Sequence, residues 1–130
     1  MARWAGAALT ALLVVAGAVV GAPLRYLTDL LVQSRHDTVF PWGTLTVNMS
    51  GSLILGAAAG AVSGGAPAWL FTLVGTGFCG ALTTFSTFGF ETVRLVEDGS
   101  VLEAVLNAGV SLFIGLVACA GGWVLASTLM

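Results

Sequence analysis

The sequence predicts an all-α integral membrane protein with four transmembrane helices, and two observations support this fold class. Of its 130 residues, 58% are hydrophobic and only 8% are charged, and the mean hydropathy is +1.03. A chain this short lacks the interior volume to bury so many apolar atoms away from water. The charged residues also fall in short clusters, so we expect lipid around most of the chain and water at the clusters.

Long uncharged stretches determine where the helices are expected. Three stretches contain no charged residue, namely residues 4–24, 38–90 and 104–130. Since about 20 apolar residues cross the hydrocarbon, the middle stretch is long enough for two helices. The sequence SGGAP divides it at residues 63–67, because glycine favours a turn and proline favours the start of a helix. We predict one transmembrane domain over residues 1–130, with spans at residues 4–24, 40–62, 67–92 and 104–128.

The first span has an alternative interpretation as a secretory signal. Arg3 precedes an apolar run that ends in small residues, as such signals do. Pro23 lies just after the cleavage site that this interpretation requires, which argues against it. We therefore interpret residues 4–24 as a retained membrane helix.

Charge and cysteine content exclude two further classes of protein. The chain has four arginines, no lysine and a net charge of −2, whereas a nucleic-acid partner would require a basic face. Cys79 and Cys119 fall at membrane depth and match no zinc or disulfide framework. We expect both cysteines to serve in packing.

Small residues recur every four positions in three of the predicted helices. A helix with such a strip allows another backbone to come close, so the pattern predicts tight helix packing. The strips are Gly17 and Gly21, then Ser52, Gly56 and Gly60, and finally Ala118 and Gly122.

Polar residues also form stripes on two helices. Thr44 and Asn48 are four residues apart in the second span, and Asn107, Ser111 and Gly115 repeat this spacing in the fourth. Residues at this spacing share one helix face. The stripes suit either a polar pathway or ordinary interhelical hydrogen bonds, and the spacing alone does not separate the two.

Residues 77–90, GFCGALTTFSTFGF, place hydroxyl groups and aromatic rings on the same turns. Phe85 and Phe88 are three apart and share a face. Glycines just before them are weak helix formers, so we expect the third helix to be interrupted near its middle. Unwound backbone at membrane depth is tolerated where it lines a cavity. The hydroxyl side chains around the rings are Thr83, Thr84, Ser86 and Thr87.

The chemistry of this stretch favours a small anion. We expect no acidic residue, histidine or lysine within the third span, and hence no fixed charge for a cation or proton relay and no base for catalysis. Hydroxyls, the Asn48 amide and free backbone N–H groups donate hydrogen bonds, and phenylalanine ring edges carry partial positive charge. Burying a bare ion is costly, so several such donors must act together. Arg25 suits either an anion-collecting role or an arginine that snorkels to the interface.

Three segments resemble one known family. GAPLRY at residues 21–26, GTLTVNMSGSLILG at 43–56 and GFCGALTTFSTF at 77–88 are similar to the Fluc-type (CrcB) fluoride channels. The resemblance covers nearly the whole chain. It implies a passive, fluoride-selective channel in the cell membrane that exports fluoride, and it implies no enzyme activity.

The resemblance also implies roles for individual residues. Phe85 and Phe88 resemble the paired phenylalanines whose ring edges line the fluoride pathway, and Asn48 resembles the pore asparagine. Thr44 and Ser111 resemble members of a polar track along that pathway. Arg25 resembles the arginine at the pore vestibule.

The family further implies an antiparallel, dual-topology homodimer with two pores. Gly80 and Thr83 resemble positions whose backbone carbonyls, freed by a break in the third helix, hold a structural sodium ion (Na+) between the two subunits. The partners implied are therefore fluoride, a second copy of the chain and the lipid bilayer.

The sequence departs from the family pattern in the fourth helix. Gly115 stands where the resemblance predicts another hydroxyl, so hydrogen bonding along that stretch falls to Ser86, Thr87 or water. Asn107 suits either a vestibule group or a helix-end cap.

Two other functions stay open on the residues alone. A small proton-coupled multidrug transporter also has four spans, but it requires a membrane-embedded carboxylate, and residues 4–24 contain none. A noncatalytic membrane assembly subunit would use its polar faces only for interhelical hydrogen bonds.

The distribution of arginines gives only a weak orientation signal. Four spans place Arg3 on one side of the membrane, and Arg25, Arg35 and Arg94 on the other. Lysine and arginine in short loops set membrane orientation. With so small a bias, we expect the chain to insert in both directions, which agrees with the implied antiparallel dimer.

Overall fold

The computed structural model describes residues 2–129, which are largely helical. Within this part of the chain, four helical spans are long and apolar enough to cross a membrane. The prediction of an all-α protein with four such spans is confirmed. The helices are α1 (Ala2–Gln33), α2 (Trp42–Ser63), a π-helix (Phe71–Cys79) that continues into α3 (Gly80–Leu82), α4 (Phe85–Glu97) and α5 (Val101–Leu129). The π-helix, α3 and α4 together form the third span, Phe71–Glu97.

The helices extend further than the predicted spans. α1 ends at Gln33 although the prediction stopped at residue 24, and α4 continues to Glu97 although the third span was predicted to stop at residue 92. Absence of charge marks only the part of a helix that crosses the hydrocarbon, whereas the helix itself continues into the headgroup region. Pro23 lies inside α1. Membrane helices tolerate an internal proline because neighbouring groups satisfy the carbonyl that it leaves free.

The turn between α2 and the third span lies where the glycine pair predicted it. The Ala66 N–H donates to the Ala61 carbonyl at 3.0 Å, and the Gly65 N–H donates to the Val62 carbonyl at 3.1 Å. This pair of bonds is a Schellman motif, which ends a helix by satisfying its last carbonyls. Gly65 has a φ of 108°, a conformation that glycine adopts without strain.

Small residues bring the helix backbones into contact. A Cβ atom added at Gly56 would collide with the Cys119 carbonyl oxygen, and one added at Gly60 would collide with the Trp123 carbonyl oxygen. Both contacts join α2 to α5. Gly17 on α1 approaches the backbone of the π-helix in the same way. The packing role predicted for these glycines is confirmed.

Two residues of the third span have extended backbone. Thr83 has φ −82° and ψ 158°, and Thr84 has φ −145° and ψ 124°. They separate α3 from α4. The Thr84 hydroxyl accepts a hydrogen bond from the Thr87 N–H at 3.2 Å and so caps the first turn of α4.

Candidate functional site

A cavity of about 380 Å³ opens beside these extended residues. Residues of α2, the third span and α5 form its wall. The structure thereby brings together residues that lie far apart in the sequence. The predicted site residues that line the cavity are Asn48, Gly80, Thr83, Phe85, Phe88 and Ser111.

The side chain of Asn48 braces the extended backbone. Its Nδ2 donates to the Thr84 carbonyl at 2.9 Å, and its Oδ1 accepts from the Thr84 N–H at 2.7 Å. The two bonds replace those that a continuous helix would make at this point. Because a carboxamide has two N–H groups, one of them remains available to donate elsewhere.

The hydroxyl groups at the start of α4 bond to one another. The Thr84 hydroxyl donates to Thr87 Oγ1 at 3.0 Å and lies 3.3 Å from Ser86 Oγ. The Thr83 hydroxyl bonds back to the Cys79 carbonyl at 2.8 Å. Among the residues described, Ser86 and Thr87 lie beside the cavity and do not line it. They organise the N-terminus of α4 in this structure.

Phe85 and Phe88 form a tilted pair of rings in the cavity wall. Their ring centroids are 5.9 Å apart and their planes meet at 43°. Phe85 is 83% exposed, whereas Phe88 is partly buried. The edge of each ring carries partial positive charge, so the pair offers an anion a surface without any formal charge.

Ser111 takes part in a hydrogen-bond network between α5 and α4. Its hydroxyl donates to Asn107 Oδ1 at 3.3 Å, and Asn107 Nδ2 donates to Thr92 Oγ1 at 2.9 Å. Asn107 is 0% exposed and lies inside α5, two turns from its first residue, Val101. Of the two alternatives for Asn107, the helix-end cap is therefore wrong, because its amide bonds to side chains within the helix interior.

A hydroxyl also faces the cavity near Gly115, although α5 does not provide it. A Cβ atom added at Gly115 would lie 3.6 Å from the Ser52 hydroxyl oxygen. Ser52 belongs to α2 and lines the cavity. The sequence had indicated only a packing role for Ser52, because its spacing to Gly56 matches a small-residue strip. A serine in such a strip is itself a signal, since glycine or alanine packs equally well.

The backbone carbonyls at the end of α3 are available to a ligand. Within residues 2–129, the carbonyl oxygens of Gly80 and Thr83 accept no backbone hydrogen bond from another element. The Thr84 and Thr87 N–H groups, which would reach these carbonyls in a continuous helix, are bonded to side chains instead. The described residues contain no cluster of three His, Cys, Asp or Glu side chains for a metal ion. A cation here would depend on backbone oxygen atoms, which suit sodium.

Comparison with known proteins identifies the family. Residues 12–123 match the family described as CrcB-like protein, Camphor Resistance (CrcB). The chain belongs to the CrcB family. The resemblance of its three segments to this family is thereby confirmed.

Two relatives of this CrcB-family chain illustrate its similarity to named proteins. "Fluoride-specific ion channel FluC 1" of Frankia casuarinae is 59% identical over 121 residues, which cover 88% of this chain and 94% of the relative. "Fluoride-specific ion channel FluC 1" of Streptomyces avermitilis is 58% identical over 114 residues, which cover 86% and 92%. Both names describe ion channels, which confirms the expectation that this CrcB-family chain is not an enzyme. Together with its four spans, the family shows a multi-pass membrane protein.

Besides Ser86 and Thr87, two further predicted site residues of this CrcB-family chain lie outside the cavity wall. Thr44 is 2% exposed, and its hydroxyl oxygen has no hydrogen-bond partner within residues 2–129. Arg25 is partly buried on α1, a helix that contributes no residue to the described cavity wall. Thr44 and Arg25 are therefore not joined to the group formed by Asn48, Phe85 and Phe88.

The expectation that the third span holds no acidic residue is wrong. Glu91 lies on α4, one turn after Phe88, and its Oε2 is buried without a partner in the described part of the chain. The Thr44 hydroxyl faces it without reaching hydrogen-bond geometry. Glu91 was already inside the predicted range of residues 67–92, and an ionisable residue within a membrane span marks a candidate functional site. A criterion based on uncharged stretches places Glu91 at the end of such a stretch, so it does not register Glu91 as a residue of the span.

Proposed function

We propose that this CrcB-family chain is a passive, fluoride-selective channel that exports fluoride across the cell membrane. The observation that carries the proposal is the cavity in which the Asn48 amide, the Ser52 and Ser111 hydroxyls and the two phenylalanine rings meet. The names of the Frankia and Streptomyces relatives support fluoride as the ion. Since cell interiors are electrically negative, an anion that crosses passively is driven outward.

The cavity supplies the interactions that a dehydrated anion requires. A hydrogen bond from a neutral donor to a charged acceptor is shorter and stronger than one between neutral groups. Asn48 contributes its remaining N–H, and Ser52 and Ser111 contribute hydroxyls on facing helices. The ring edges of Phe85 and Phe88 supply weak positive potential where no donor is present. A pathway of neutral groups of this kind holds an anion loosely enough for it to leave.

We place two copies of the chain in the functional assembly, in opposite orientations. Phe85 is 83% exposed, and the cavity is open to the outside of the single chain. A second copy packed on this face would complete the wall and exclude lipid from the pathway. The weak arginine bias permits insertion in both directions. Two antiparallel copies would then form two equivalent pores, with Arg25 attracting anions toward each entrance.

A structural sodium ion is part of this proposal. The free carbonyls of Gly80 and Thr83 fit a cation that prefers oxygen ligands. One chain provides only part of a coordination shell, and the same pair from the second copy would double it. When bound, the ion would neutralise the carbonyl dipoles at the subunit contact and fix the two α3 ends together.

Vesicles that contain the purified protein test the proposed function. We expect trapped fluoride to leave the vesicles rapidly once the membrane potential is dissipated. Chloride should leave no faster than it does from vesicles without protein. Exchange of protons for an organic cation would instead indicate a multidrug transporter. Vesicles tight to fluoride, chloride and organic cations would indicate an assembly subunit, and either result would overturn the proposal.

A further inference from the structure

Asn107 connects two residues of the cavity wall without touching the cavity itself. Its Nδ2 donates to Thr92 Oγ1 at 2.9 Å, and the Thr92 hydroxyl donates to the Phe88 carbonyl at 2.7 Å. On its other side, Oδ1 accepts from the Ser111 hydroxyl at 3.3 Å. Asn107 is 0% exposed, whereas Ser111 and Phe88 line the cavity. Any effect of Asn107 on an ion must therefore pass through its neighbours.

The direction of these bonds determines what Ser111 offers to the cavity. A serine hydroxyl has a single proton, and that proton is donated to Asn107. In this state Ser111 presents only lone pairs to its other neighbours, which is unfavourable for an anion. The bond is 3.3 Å long, beyond the usual range for a hydroxyl donor to oxygen, so it is a weak one.

We propose that Asn107 is a positioning residue that competes with the passing anion for the proton of Ser111. The inference rests on the fluoride channel proposed above. Fluoride is a charged acceptor and binds the hydroxyl more strongly than the neutral amide does, so the hydroxyl turns toward the ion. When the ion moves on, Asn107 accepts the proton again. The Asn107 amide thereby lowers the affinity of fluoride for the position beside Ser111, which favours release of the ion.

Substitution of the acceptor tests the competition. Asn107→Leu has nearly the same size and removes Oδ1, so the Ser111 hydroxyl is free before the ion arrives. We expect fluoride flux at low fluoride concentration to rise by about 2- to 10-fold, the factor that corresponds to the net worth of one neutral hydrogen bond. Ser111→Ala should lower this flux. The double variant should match Ser111→Ala alone, because Asn107 acts only through that hydroxyl.

Thr92→Val is the matched control, because it removes the other partner of Asn107 and leaves Oδ1 in place. We expect it to keep low-fluoride flux within about 2-fold of the wild type, since the Ser111 bond is retained. Flux is measured with a fluoride electrode and divided by the amount of protein that elutes as a single folded species in gel filtration. If Asn107→Leu does not fold, Asn107→Ala removes the same acceptor with less bulk.

Three results would overturn the inference. Flux that is unchanged or reduced in both Asn107 variants would show that the amide does not restrain Ser111. An increase that persists in the Ser111→Ala background would place the effect elsewhere, and an equal increase in Thr92→Val would indicate looser packing between α4 and α5. If the wild type itself carries no fluoride, the proposed channel function has failed, which is a separate outcome.

Discussion

Replacing Asn48 by leucine removes both hydrogen bonds that hold the extended backbone at Thr84 and changes the side-chain volume little. The Thr84 N–H and carbonyl, now bonded at 2.7 and 2.9 Å, would lose their partners. Thr84 is 9% exposed, so water has little access to replace them. Each buried polar group left without a partner costs about 1–3 kcal/mol, and we expect Asn48→Leu to lower the free energy of unfolding by about 2–6 kcal/mol.

Asn48→Asp separates the two bonds. A carboxylate still accepts from the Thr84 N–H, but it cannot donate, and its second oxygen would face the Thr84 carbonyl oxygen. If ionised, it would also place a negative charge beside the proposed anion pathway. We therefore expect Asn48→Asp to lose most fluoride flux. This loss should exceed the loss of folded protein that its lower stability causes.

The free energy of unfolding of Asn48→Leu is measured by unfolding in detergent micelles, followed by tryptophan fluorescence. The fluoride flux of Asn48→Asp is measured by efflux from vesicles. Thr46→Val is a matched control on the same helix, because its hydroxyl bonds only to the Trp42 carbonyl within α2. Thr46→Val should lower the free energy of unfolding by about 1 kcal/mol. An Asn48→Leu protein that unfolds like the control would refute the bracing role, and normal flux in Asn48→Asp at neutral pH would remove Asn48 from the pathway.

Three further predictions address the rings, the packing and the orientation. Phe85→Ile or Phe88→Ile should assemble normally and lose most fluoride flux, because isoleucine fills similar space without a positive ring edge; efflux near the wild-type rate in both variants would contradict this role. Gly56→Val should lower the free energy of unfolding by about 1–3 kcal/mol or more, because its side chain meets a backbone carbonyl of α5, whereas Gly121→Val has open space and serves as the control. A single cysteine at the exposed Ser63, in a background without the native cysteines, should be labelled from outside intact cells in about half of the molecules if the chain inserts in both directions. Labelling of nearly all or nearly none of the protein would show a single orientation and exclude the antiparallel homodimer.

The helices could be predicted because charge and hydropathy report directly on the membrane. The runs without charge identified four spans, and the glycine pair at residues 64–65 identified the turn between two of them. The same criterion could not find the ends of α1 and α4, because helices continue past the hydrocarbon into water. Charged side chains such as those of Arg25 and Glu97 are solvated there. The π-helical winding of Phe71–Cys79 has no counterpart in the apolar pattern, because that pattern reports burial and length rather than the pitch of a helix.

The candidate site was predicted in part, and the omissions have physical causes. Spacing along one helix indicated that Phe85 and Phe88 share a face, but it carries no information about which helix lies opposite. For this reason the approach of Ser52 to Gly115 was not foreseen. The bonds from Asn48 to Thr84 were also not foreseen, because they join a side chain to the main chain of a distant segment. Glu91, in contrast, can be found from the sequence, because it lies within the predicted range of residues 67–92.

The bracing of Thr84 by Asn48 has a consequence for comparisons among related sequences. Methods that infer contacts from correlated substitutions detect pairs of side chains that change together. Here one partner is main chain, which every amino acid except proline presents in the same way. The identity of residue 84 can therefore change with no compensating change at position 48. We expect covariation between these two positions to be weak even though their contact is direct, so a contact map inferred from covariation would omit this contact between the third span and α2.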